Sequence, residues 1–273
     1  MKRILSCGAG VQSSTVLLMS CLGELPKLDA AIFADTGWEP KEVYTHLRWL
    51  KEYSEGHGIP FHILTGRNIR SDNIVATIGH TRKKGERWGA LPLFTLNPDG
   101  TIGQIKRQCT FEYKIAPVTK FLRREVMGLK YRQHAPKVPT VEHWFGISTD
   151  EIRRCRMSPH LWAINYYPLI EELEMTRQDC LDWYSGKDLP TPPRSACIGC
   201  PYHDRKEWRR IRETDPDGWA DAVEFDAAIR WCGGMEAPCF LHRDCVPLDQ
   251  VDLSTEEERG QGMLFECSGM CGT

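Results

Sequence analysis

The sequence predicts an α/β protein with a mainly parallel sheet flanked by helices. Short apolar strands alternate with helical patterns across the first 65 residues, a glycine- and serine-rich break, "SCGAG", follows the first strand directly, and the second strand ends in the polar "ADTG". "KRILS" reads as strand one, and "SSTVLLMSCLGEL" as a helix starting near Ser13 or Ser14, either of which could cap its open N–H groups. "LDAAIFADTG" gives a second strand, "EPKEVYTHLRWLKEYSEGHG" a helix with Val43, Leu47 and Leu50 on one side, and "IPFHILT" a third strand. Further on, "APVTKFLRREVMG" reads as an amphipathic helix starting near Pro117, "VEHWF" as a strand, and "NYYPLIEELEMTRQDCLDWY" as a strand-to-helix passage with Trp144 and Tyr166 as core aromatics.

The balance of 41% hydrophobic and 26% charged residues is that of a globular protein, and no apolar run approaches the roughly 18 residues of a membrane span. Gly8, Gly10, Gln12, Ser13 and Ser14 interrupt the N-terminal apolar run, so no export signal is expected and the expected location is the cytoplasm. A net charge of −2 conceals a division. Residues 1–170 carry 24 Lys and Arg against 15 Asp and Glu, whereas residues 171–273 carry 11 against 22. That excludes a uniformly basic nucleic-acid coat but leaves a basic anion-binding face in the first half. Twelve cysteines are many for such a chain. A secreted disulfide framework would explain their number but not the rest of the composition, so a metal or redox centre is the expectation.

In a parallel sheet, ligands gather beyond the strand C-termini. Ser6, Gly8, Gly10, Ser13 and Ser14 fall there, with small residues for close backbone approach, hydroxyl donors and a helix N-terminus to face an anion. The spacing is neither GxGxxG nor GxxxxGK[ST]. Asp35, at the end of strand two, has the chemistry to hold Mg2+ or a nucleotide hydroxyl, and equally to cap the following helix. The basic stretch from 66 to 108, with Arg82, Lys83, Lys84, Arg87, Lys106 and Arg107, offers positive charge to a phosphorylated substrate or forms a solvated loop.

"SCGAGVQSS" resembles an enlarged form of the pyrophosphate loop of the PP-loop, or adenine nucleotide alpha-hydrolase-like, superfamily. "IFADTGWEPKEVYTHLRWL" resembles the corresponding strand and helix of phosphoadenosine-phosphosulfate reductase-like proteins. The resemblance spans about residues 1–212 and implies recognition or cleavage at an α-phosphate, with ATP or a related adenine nucleotide as cofactor. It also places Ile147–Asp150 and Tyr166–Pro168 toward substrate handling. The implied organisation is a nucleotide-binding and cysteine-centre domain over 1–212 and a cysteine-rich extension over 213–273 packed on it.

Cys197 and Cys200 form a CxxC whose spacing suits a shared metal or a dithiol pair. With Cys109 they resemble the cysteine set of PP-loop enzymes that carry a [4Fe-4S] cluster; zinc is the competing metal. Many such relatives have two adjacent cysteines where this chain has Gln108–Cys109. Glu266–Cys267 resembles the terminal Glu-Cys-Gly of phosphoadenosine-phosphosulfate reductases, with Ser268 in place of the glycine, and Cys271 follows.

The resulting expectation is a nucleotide-activating sulfurtransferase. It would adenylate an acceptor with pyrophosphate release, use Asp35 to position ribose or Mg2+, and deliver sulfur from the cysteine centre. The acceptor would be a tRNA or other nucleic-acid base, with a sulfur donor or thiol reductant as partner, no membrane, and oligomer formation left open. The alternatives are a phosphoadenosine-phosphosulfate or adenosine-phosphosulfate reductase using Cys267 or Cys271 as the attacking thiol, and a nonenzymatic nucleotide- and metal-binding protein.

Overall fold

A computed structural model describes residues 1–78, 89–231 and 237–255. The chain forms two compact units: residues 1–35, 41–66 and 113–195 make the first, and residues 36–40, 67–112 and 196–273 the second.

The first unit is built on a parallel sheet. Its strands are β1 (Lys2–Ser6), β2 (Ala30–Ala34) and β3 (Phe61–Leu64), joined by helices α1 (Val11–Leu22) and α2 (Lys41–Gly56). Two further strands of this sheet, Val141–Phe145 and Ala163–Tyr166, enter later in the chain. β1 pairs with β2 on one side and with Val141–Phe145 on the other, and every pairing in the sheet is parallel. β2 is buried at all five positions, as a central parallel strand covered on both faces should be.

The strand period of two sorts the side chains into two cores. Leu5, Ala31, Phe33 and Trp144 face one way and pack with Val16, Leu17, Leu18, Val43, Leu47 and Leu50 of α1 and α2. Ile4, Ile32 and Val141 face the other way, toward Val118 and Leu122. Those last two residues lie on a helical run with wide turns at Thr110–Ile115 and Leu122–Val126 around a regular helix. The run starts at Thr110, ahead of the start near Pro117 expected from the sequence, so Pro117 lies inside it and its missing N–H removes one bond of the helical ladder. The predicted α/β class with a mainly parallel, helix-flanked sheet is therefore the observed one.

In the second unit, α3 (Ile69–Ile78) is followed by β4 (Phe94–Leu96) and β5 (Ile102–Gln104), an antiparallel pair. The regular helix around Pro117 is α4 (Ala116–Phe121), the late strands of the first unit are β6 (Val141–Phe145) and β7 (Ala163–Tyr166), and the sheet order is β3-β2-β1-β6-β7. The short helices α5 (Pro168–Glu171) and α6 (Arg177–Trp183) follow β7; Thr176 and Asp179 close α6 with a reciprocal cap. The second unit is completed by α7 (Arg205–Thr214), α8 (Pro216–Ala228) and β8 (Cys239–Phe240), the last joining β4. Among the described residues no helix is long and apolar enough to cross a membrane.

Candidate anion-binding site

The strand order defines where a ligand would sit. The chain moves from β1 outward to β2 and β3, then returns to the opposite side of β1 for β6 and β7. Open α/β sheets bind ligands in the crevice at such a reversal, which here falls beyond the C-terminal ends of β1 and β6.

The β1–α1 loop lines that crevice. α1 starts at Val11, with Gly10 as its N-cap residue and no side-chain cap, so neither Ser13 nor Ser14 caps the helix. Both serines lie inside α1. Ser13 Oγ accepts the Gly8 N–H at 3.1 Å and donates to the Gly10 carbonyl at 3.3 Å, which ties the loop into shape. Ser14 is buried, and its hydroxyl meets His46 Nε2 at 3.2 Å in the core between α1 and α2. Ser195 donates to the Gly8 carbonyl, and a Cβ on Gly10 would lie 3.3 Å from the Ser195 Cβ. Ala9 holds a left-handed φ of 56°, a conformation that costs a non-glycine residue on the order of 1 kcal/mol or more.

The N–H groups of Gly10, Val11 and Gln12 have no acceptor among the described residues, the first hydrogen bond of the helix running from Ser14 N to Gly10 O. Three adjacent backbone donors at the positive end of a 12-residue helix favour an anion by about 0.3–2 kcal/mol from the dipole alone.

β6 closes the other wall. Gly146 follows it, and a Cβ there would fall 2.5 Å from Ser13 N and Cα, so only glycine lets this turn approach the start of α1. Gln12 donates to Ser148 Oγ at 3.4 Å and to Glu151 Oε2 at 3.2 Å, fastening the start of α1 to the segment after β6. Ser6, the last residue of β1, meets His143 Nε2 at 2.7 Å. Asp35 directly follows β2 and accepts the Tyr44 hydroxyl at 3.0 Å.

Of the residues singled out in the sequence, Ser6, Gly8, Gly10 and Ser13 thus meet in one loop, whereas the Ser14 side chain faces the core. Gly146, His143 and Ser195 were missed, because each acts through a partner far along the chain; Tyr44, nine residues from Asp35, was missed within the helix that follows it. The glycine directly after strand "VEHWF" was the available signal.

The second unit holds the CxxC. Cys197 Sγ lies 3.2 Å from Thr36 Oγ1 and 3.5 Å from Glu39 Oε1, and the Thr36 hydroxyl donates to Glu39 at 2.9 Å. A turn bond runs from Cys200 N to Cys197 O at 3.1 Å. Gly199 within this turn has a tertiary reason in Trp38, whose ring would lie 2.0 Å from any Cβ there. Cys109 N binds the Ala90 carbonyl, and the Arg107 guanidinium lies 5.3 Å over the Tyr202 ring. Arg82, Lys83, Lys84, Arg87, Cys267 and Cys271 lie outside the described residues.

Among the described residues, no three Cys, His, Asp or Glu side chains converge to hold a metal ion. This corrects two expectations: Cys109, Cys197 and Cys200 form the ligand set neither of a [4Fe-4S] cluster nor of zinc. The metal-assisted, ATP-driven sulfurtransferase with an iron-sulfur centre loses its chemical basis with them. Physically, the Cys197 thiol is instead engaged by a hydroxyl and a carboxylate.

No known protein family's sequence profile matches the chain, and no curated protein matches it in sequence. Among solved structures, phosphoadenylyl-sulfate (PAPS) reductase from Candida auris, crystallised as a phosphate complex, is similar to it at 12% identity and a TM-score of 0.42, covering 70% of this chain and 75% of that one. The likeness is one of fold, weak and of low identity, and carries no functional argument.

Proposed function

We propose that this chain is an enzyme of the sulfonucleotide reductase type, which binds an adenosine phosphosulfate through its phosphate groups and reduces the sulfonyl group with thiols. One observation carries the reading: the uncapped start of α1, with the N–H groups of Gly10, Val11 and Gln12 open at the β1/β6 reversal. Ser6, Gly8, Gly10 and Ser13 form and shape this cradle, and Asp35, steadied by Tyr44, is assigned to a ribose hydroxyl. Backbone donors of this kind hold an anion without a charged side chain, and the loop from Ser6 to Ser14 contains none.

In the proposed reaction a thiolate, assigned to Cys267 or Cys271 in the C-terminal extension, attacks the sulfonyl sulfur. The S–O bond to the nucleotide phosphate breaks, the nucleotide leaves with that electron pair, and an S-sulfonated cysteine remains. A second thiol attacks the cysteine sulfur, releasing sulfite. Two thiols become a disulfide as the sulfonyl sulfur gains two electrons, and an external dithiol restores the enzyme. Residues 1–212 serve as the nucleotide-binding domain and 213–273 as the thiol-bearing extension.

The test is anaerobic incubation of the full chain with 3′-phosphoadenosine phosphosulfate, or with adenosine phosphosulfate, and a dithiol. Sulfite and the corresponding adenosine phosphate should appear in equal amounts. Absence of both products with either substrate would refute the reading.

A further inference from the structure

We propose that His143 is a positioning residue that turns the Ser6 hydroxyl into a hydrogen-bond donor for the anion in the β1/β6 crevice, an inference that rests on the function proposed above. Three serines were expected in this loop, and two have other employment: Ser13 bonds Gly8 and Gly10, and Ser14 bonds His46. Ser6 is the remaining hydroxyl. It is partly exposed at the end of β1, and its hydroxyl meets His143 Nε2 at 2.7 Å.

A serine hydroxyl has one proton and two lone pairs, so its partner decides what it shows to a ligand. If His143 carries its proton on Nδ1, then Nε2 accepts the Ser6 proton and only lone pairs remain for the crevice, which repel phosphate and sulfonyl oxygens. If the proton is on Nε2, the imidazole donates to Ser6 Oγ and the Ser6 O–H is released to donate to the anion. The second tautomer is the one that an anion site needs.

The surroundings keep this a choice between tautomers rather than between charges. Burial holds His143 down to about 4, so at neutral pH the ring is uncharged. Its position is fixed by the sheet: His143 is the register partner of Ile4, and Phe145 that of Ser6. The His143 and Phe145 rings also pack at a centroid distance of 4.2 Å.

The experiment uses the full-length chain with 15N-labelled histidine, assigning the His143 ring by its loss in His143→Gln. The expected signature is a protonated Nε2; a protonated Nδ1 would overturn the proposal whatever the ligand. Titration with adenosine 3′,5′-bisphosphate gives a second reading. Ser6→Ala and His143→Leu should each weaken binding about tenfold or more, the loss typical of one hydrogen bond to a charged group. The double variant should be no weaker than either single one, because the two residues act as one device. His143→Gln, whose side-chain amide can donate to Ser6, should stay within about twofold of wild type, a rescue that loss of packing alone would not give. Additive losses, or unchanged binding in His143→Leu, would overturn the assignment. If the wild-type chain does not bind the bisphosphate, the sulfonucleotide reading fails by itself, and the tautomer decides the role of His143.

Discussion

Replacing Gly146 by alanine should damage the start of α1 more than any other single methyl addition in the first unit. The new Cβ would lie 2.5 Å from both N and Cα of Ser13 and 2.8 Å from the Gln12 carbonyl carbon. Carbon atoms rest about 3.5–4.0 Å apart, so β6 and the first turn of α1 must separate by about 1 Å. The obstructing atoms are backbone atoms of a helix and cannot rotate away. Overpacking of this kind costs about 1–3 kcal/mol, which for a chain of this size lowers Tm by roughly 2–10 °C. The same shift moves the N–H groups of Val11 and Gln12 and loosens the Gln12 bonds to Ser148 and Glu151, so affinity for adenosine 3′,5′-bisphosphate should fall at least tenfold, about 1.4 kcal/mol. Thermal unfolding followed by circular dichroism, with titration calorimetry on the same sample, reads both effects. A Gly146→Ala variant that keeps the wild-type Tm and affinity would refute the reasoning.

Gly199→Ala should destabilise the second unit by about 1–3 kcal/mol, since its methyl would meet the buried Trp38 ring at 2.0 Å; Trp38→Leu in the same chain should recover part of the loss in chemical denaturation. Burial pushes the Cys7 thiol up to about 11 and the Cys180 thiol up to about 12, so both should resist iodoacetamide at pH 8 in the native protein and react after unfolding, as mass spectrometry of tryptic peptides would show. Because their folded values lie above the unfolded ones, the stability they contribute is complete below about pH 9 and is lost as pH rises through 11 and 12, which urea melts across that range would detect. His46 is held down to about 4 by burial and His143 likewise. Their contribution is complete above about pH 6.5 and disappears as pH falls toward 4, so acid unfolding should begin in that window and shift to lower pH in His46→Leu.

Much of the fold was legible because its signals are local. Runs such as "AAIFA" are uniformly apolar where a strand is covered on both faces, and Val43, Leu47 and Leu50 repeat at helical spacing. The start of α1 was misplaced by two or three residues for a physical reason: Ser13 and Ser14 have the chemistry of caps, but tertiary partners at Gly8 and His46 take their hydroxyls. The glycines of the loop were found by composition, whereas Gly146 and Gly199 derive their necessity from Ser13 and Trp38, more than 130 residues away. The metal centre failed for a related reason. CxxC spacing places two thiols near each other, but a third ligand is a matter of tertiary assembly, and among the described residues no such trio forms. His143 looked like one more residue of a strand until the pairing of β1 with β6 set it against Ser6.

The interleaving of the two units has a consequence for how the protein is born. During translation, all the segments of the first unit have been made once residue 195 leaves the ribosome, whereas the second unit still awaits residues 196 onward. The pentapeptide Thr36–Pro40 is synthesised early, yet its partners come late: Thr36 waits for Cys197, and Trp38 for Asp221 and Phe225. For most of synthesis a tryptophan destined for burial is therefore held in water on the nascent chain. Closing so long a loop is slow, and exposed aromatic surface invites misassembly. A nascent chain that still lacks residues 196 onward thus presents to chaperones a face that the native protein does not, and Trp38 marks the difference.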